Sequence, residues 1–111
     1  MSGSFGEMGN LLRQAQEMQR HLDRVKRELE QSRVEGTAGG GAVRVLVDGN
    51  GQVQKVTISP DAIQGAIQGG DPTVLEDLVL AATRDGIQRA ADLRAQELSK
   101  VTGGLNLPGL F

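Results

Sequence analysis

Leu11, Ala15, Met18, Leu22, Val25 and Leu29 are spaced 4, 3, 4, 3 and 4 residues apart, and no other feature of the sequence restricts its fold as strongly. Steps that average about 3.5 residues return to one side of an α-helix every two turns. The segment from about Glu7 to Gln31 therefore reads as a helix packed lengthwise against another helix. Met8 and Leu12 widen the stripe. At ~1.5 Å per residue this helix is about 37 Å long, more than a compact chain of this size needs. The spacing predicts an arm.

Composition limits what the rest can do. The 111 residues leave room for a single domain, residues 1–111, with the ends at about 1–6 and 103–111 expected to be flexible or, for the apolar tail Leu105–Phe111, docked. The chain has no Trp or Tyr, and its two Phe residues are Phe5 and Phe111. Aliphatic side chains alone must build the core, which makes a homodimer more attractive than a monomer. Cysteine is absent, which excludes disulfides, thiolate metal sites and cysteine nucleophiles. No secretory leader and no apolar run of about 18 residues is visible, so the sequence reads as cytoplasmic with no membrane partner.

After the first helix the periodicity switches to two. Ser32–Ala38, Ala42–Val47 and Gln52–Ile58 alternate polar with apolar residues, and the segments Gly39–Gly41 and Asp48–Gly51 separate them. This pattern predicts a three-stranded antiparallel meander. Val43, Val45 and Val47 share one face, as do Val56 and Ile58, and all five are expected at a dimer interface formed through the sheets. Ser59-Pro60-Asp61 opens a short helix that ends at Gly69-Gly70, and Asp71-Pro72 opens a long one reaching about Val101. Its apolar side is expected to hold Val74, Leu78, Ala81, Ala82, Ile87, Ala91, Leu98 and Val101. The fold class is α+β: a long N-terminal helix, a three-stranded meander and a long C-terminal helix.

Sites that would signal catalysis or a cofactor fail on their missing parts. His21 is the sole histidine and lacks further His or Cys to complete a zinc site. Gly39–Gly41 lacks the Lys-Ser/Thr of a nucleotide-phosphate loop and leads into a strand. A calcium loop starting at Asp48 would need a Glu where Ser59 stands. No G-x-S-x-G elbow or Ser–His–acid set is present. No catalytic residue, metal or cofactor is expected, and the chain is not read as an enzyme.

The basic residues suggest a different role despite the net charge of −2. Arg13, Arg20, Arg24 and Arg27 are spaced 7, 4 and 3, which places them on one face of the first helix away from the apolar seam. Lys26 and Arg33 lie nearby, and the last helix carries Arg84, Arg89, Arg94 and Lys100. By spacing alone, the plainer reading is a solvated helix face interrupted by Glu17, Glu28 and Glu30. If the stripe binds nucleic acid, its chemistry is constrained: guanidinium groups hold phosphates without reading sequence, and without Trp or Tyr the stacking that captures single strands is largely lost. Duplex contact through Arg13, Arg20, Arg24, Lys26, Arg27, Arg89, Arg94 and Lys100 is the expectation. The alternative is a homodimeric adaptor for replication or recombination proteins with no direct DNA contact.

Ordered stretches across nearly the whole chain resemble the YbaB/EbfC nucleoid-associated proteins. These are Gly9–Gln19, Gly36–Val47 with its glycine turn, Val56–Pro60, Glu76–Val79, Thr102–Leu105 and Leu107–Gly109. The resemblance implies a tweezer-like homodimer whose sheets associate while paired long helices project. It further implies nucleoid localisation, double-stranded DNA as partner and an effect on gene expression. Gly86 falls inside the last helix, where it costs roughly 1 kcal/mol relative to Ala, and is read as permitting close helix packing.

Overall fold

A computed structural model describes residues 2–103, with side chains described for residues 6–101; the expectations for the tail Leu105–Phe111 lie outside the described residues. The elements run in the order α1 (Ser2–Gln31), β1 (Arg33–Ala38), β2 (Val43–Asp48), β3 (Val53–Ile58), α2 (Pro60–Gly69) and α3 (Thr73–Gly103). The strands form one antiparallel sheet in the order β1-β2-β3. The molecule is elongated, 81 × 24 × 16 Å.

Local chemistry sets the boundaries. Carbonyl groups at the end of α1 are taken up by the two residues after the helix: Ser32 Oγ donates to Glu28 O and Arg33 Nη1 donates to Glu30 O, at 2.9 and 2.8 Å. Gly39, Gly40 and Gly41 all have positive φ, which lets the chain reverse between β1 and β2. Ser59 caps α2, its Oγ accepting from Ala62 N at 3.1 Å with Pro60 in the first turn. The Asp71 carboxylate accepts from Thr73 N at 2.9 Å, and its hydrogen bonds to Thr73 hold its pKa below the ordinary value.

The core lies between α3 and the sheet. Val43, Val45 and Val47 of β2 are fully buried together with Ala82 and Ala90 of α3, flanked by Val34, Ala38, Ile58, Leu75, Leu78 and Val79. A ridge of small residues, Ala82, Gly86 and Ala90, lets α3 lie almost against the strands. At the crossing, Gly36 of β1 is so close to the helix that a Cβ there would collide with Ala82 O and Gly86 N. The glycine inside α3 is thus matched by a glycine in the strand beneath it.

This packing corrects the expected dimer interface. Val43, Val45 and Val47 cannot meet a second chain, because α3 of their own chain already covers them. The projecting helix expected for α3 instead lies across β1 and β2. It leaves β3 bare, with Val53 45% and Val56 44% exposed. A bulge between Leu46 and Val47 pairs Val53 with Val47, bringing Val53 onto the same face as Val56 and Ile58.

The apolar side expected for α3 is corrected as well. Val74, Ala81, Ile87 and Ala91 are exposed, while Leu75, Val79, Ala82 and Ala90 turn inward. Leu80 and Ile87 form a second, exposed apolar flank on this helix.

The α1 seam closes only at one end. Val25 and Leu29 are buried, Met18 and Leu22 half-buried, and Met8, Leu11 and Leu12 are between 62% and 66% exposed. The C-terminal half of α1 lies beside the last turns of α3, where His21, Arg24, Val25 and Glu28 share a groove with Glu97, Lys100 and Val101. The rest of α1 projects without cover from the described residues.

Candidate nucleic-acid interface

The first helix places its charge where the seam dictates. At about 100° per residue, Arg13, Arg20, Arg24 and Arg27 fall within an arc of about 60° on the side opposite the leucine seam. All four are exposed. Arg20, Arg24 and Arg27 line one shallow depression with His21, Glu17 and Asp23. From Arg13 to Arg27 the stripe runs about 21 Å.

The acids interrupting the stripe neutralise little of it. Arg24 Nε lies 3.8 Å from Glu28 Oε1, an exposed pair of the kind that contributes at most about 1 kcal/mol. Among the described residues, Arg13, Arg20 and Arg27 have no carboxylate within ion-pair distance. Three exposed guanidinium groups in one row with no internal partner are open to an external anion.

The other expected basic residues are not gathered on this face. Lys26 and Arg94 meet in a different place, an open cleft of about 620 Å³ between α1, α3 and the β2–β3 turn, which Asp23, Glu30 and Asp48 share. Arg89 is drawn to the β1 edge, its Nε donating to Asp85 Oδ2 at 3.2 Å. The same carboxylate oxygen accepts from Thr37 N at 3.0 Å. The Thr37 N–H first and Arg89 second hold the Asp85 carboxyl below its usual value. Lys100 donates to Glu97 Oε1 at 3.0 Å and shares the α1–α3 groove with Arg24. Of the residues expected from α3, Lys100 alone adjoins the arginine stripe.

Asp48 has a structural duty. Its side chain is buried; Oδ1 accepts from Asn50 N and Gln52 N at 2.9 and 3.0 Å, and Oδ2 from Gln54 Nε2 at 3.2 Å. These bonds fix the hairpin turn between β2 and β3. No group of three or more His, Asp or Glu among the described residues is arranged to hold a metal ion.

The unit is thus a small α+β body from which a helix projects with a row of exposed arginines on one face. The chain belongs to the YbaB/EbfC DNA-binding family, whose model matches residues 5–105. It is 42% identical over 110 residues to a nucleoid-associated protein of Acetivibrio thermocellus, covering 98% of this chain and 94% of that one. A nucleoid-associated protein of Thermoanaerobacter pseudethanolicus is 41% identical over 109 residues, covering 98% and 94%. The fold matches the crystal structure of an uncharacterized Helicobacter pylori protein with a TM-score of 0.69 at 18% identity, over 88% of this chain and 96% of that one. No helix among the described residues is long and apolar enough to cross a membrane.

Proposed function

We propose that this protein is a nucleoid-associated homodimer that binds duplex DNA through its phosphates, with little preference for sequence, and so influences nucleoid organisation and gene expression. The observation that carries the reading is the row of exposed arginines on α1, three of them without an ion-pair partner among the described residues. Arg13, Arg20, Arg24 and Arg27 are the primary contacts. Lys100 extends them, while Lys26, Arg89 and Arg94 act through the general field. Guanidinium–phosphate bonds position a protein on DNA without reading its bases, so little selectivity is expected. The names of the relatives support the nucleoid as the place of action.

Titrating a labelled random-sequence duplex tests this by fluorescence anisotropy. Binding at low salt, competed equally well by unrelated duplexes, is expected. The adaptor reading would take over if no duplex bound at low salt. The bare Met8, Leu11 and Leu12 on the arm would then be its natural surface.

The second copy belongs at β3. The β1 edge is partly closed by Asp85 bonding to Thr37 N, which leaves β3 as the open edge. Val53 and Val56 on its inner face are exposed, as are Leu80 and Ile87 on the flank of α3 turned away from Asp85 and β1, and we read the space between these two rows as an apolar notch. Ile58 contributes only its half-buried remainder. Replacing Ile87 by Asp puts a charge into this notch and is expected to shift the mass in light scattering from dimer towards monomer; an unchanged dimer mass would move the interface elsewhere.

A further inference from the structure

We infer that the β2–β3 turn is the joint that sets the direction of the α1 arm, making Gly49 and Asn50 positioning residues for DNA binding. The positioning role rests on the DNA reading above; the joint itself does not.

The turn grips α1 at its last two turns. Gly49 N donates to Leu29 O at 2.8 Å, and the same carbonyl accepts from Ser32 N at 3.1 Å. Asn50 Nδ2 donates to Lys26 O at 3.3 Å, one turn further up the helix. Contact at Gly49 is backbone on backbone: a Cβ there would lie 2.8 Å from Leu29 O and 2.9 Å from Leu29 Cα. The grip is stiff because the buried Asp48 carboxylate fixes the turn from inside.

The lever is long. Arg13 lies about 24 Å along α1 from Leu29, so a tilt of about 10° displaces it by about 4 Å. Successive phosphates on one DNA strand are about 3.4 Å apart along the axis, so such a tilt puts the stripe out of register. The central core is independent of the grip, since its buried members all come from β2 and α3. The arm can therefore be loosened without dismantling the body.

The test uses the absence of native cysteine. Spin labels on Gln14→Cys and Thr57→Cys, diluted with unlabelled protein, report the intrachain distance between arm and sheet by pulsed electron resonance. Gly49→Ala is expected to shift that distance by several ångströms, and the milder Asn50→Ala to broaden its distribution. In both, duplex affinity is expected to fall roughly tenfold while the salt slope stays that of the parent, because binding must first draw the displaced or loosened arm back into register before it reaches the same phosphates. Unchanged distance distributions in both variants would overturn the joint. A slope reduced along with affinity would overturn the positioning role, since contacts would then be lost rather than misplaced. A parent protein that binds no duplex would overturn the positioning role together with the DNA reading, and the distances would still decide the joint.

Discussion

Replacing Arg13, Arg20, Arg24 and Arg27 together by glutamate is expected to abolish duplex binding while the dimer persists. Each substitution removes a cation and installs an anion beside the phosphates. Taking about 0.5–1 kcal/mol for each exposed ion pair, eight contacts in a dimer sum to about 4–8 kcal/mol. At about 1.4 kcal/mol per factor of ten, affinity falls about a thousandfold or more. The new glutamates also face Glu17 and Glu28 at helical spacing, which costs α1 a few tenths of a kcal/mol per pair. The four-glutamine variant avoids that repulsion and serves as the control. Anisotropy gives the affinity, and circular dichroism with light scattering verifies the fold and mass. Retained affinity in a folded, dimeric variant would remove the stripe as the contact surface.

The second large effect concerns the body. Gly36→Ala is expected to destabilise the chain by about 3 kcal/mol or more, because overpacking against backbone cannot be relieved by a side-chain rotation. Its Cβ would press on Ala82 O and on Gly86 N and Cα, atoms fixed by the helix itself. In a domain of this size that corresponds to a fall in Tm of about 10–20 °C. Gly86→Ala should behave differently. Its Cβ would meet a Val47 methyl group at 2.7 Å but the Gly36 backbone only at 3.4 Å. Alanine also gains about 1 kcal/mol of helix propensity, so the net change is expected to be about 1 kcal/mol or less. Thermal unfolding of the two variants checks the order. Equal effects would mean that strand and helix separate more easily than their contact implies.

The two proteins made by these changes should fail in opposite ways. The charge-reversed chain keeps its body and loses DNA, whereas Gly36→Ala loses its body first. That separation comes from the architecture, in which the arginine row on α1 and the valine core under α3 share no residue.

Much of this architecture is written in local patterns. The seam from Leu11 to Leu29 specifies α1, the alternation from Arg33 to Ile58 specifies the strands, and Ser59-Pro60 and Asp71-Pro72 open the two later helices. The arginine stripe is equally legible, since a helix with one apolar face fixes what lies opposite. Local pattern does not reveal which face of α3 turns inward. That helix is apolar on two sides, one for its own core and one left exposed at Leu80 and Ile87, so no single stripe stands out. The burial of Val43, Val45 and Val47 under α3 is hidden for the same reason. The face of Val53 depends on a bulge, which breaks the period of two. The grip of Asn50 on Lys26 joins residues 24 apart through a backbone carbonyl and leaves no trace in sequence spacing.

The claim that the α1 stripe holds phosphates is tested most directly by the salt dependence of duplex binding. The slope of log affinity against log salt concentration counts the phosphates neutralised, at about 0.9 per contact for duplex DNA. Arg20→Gln removes one contact per chain without adding a charge. The slope is predicted to become shallower by about 0.9 for each arm engaged, so by about 1.8 if both arms of a dimer bind. A slope identical to that of the parent would show that Arg20 faces no phosphate, and would contradict the account.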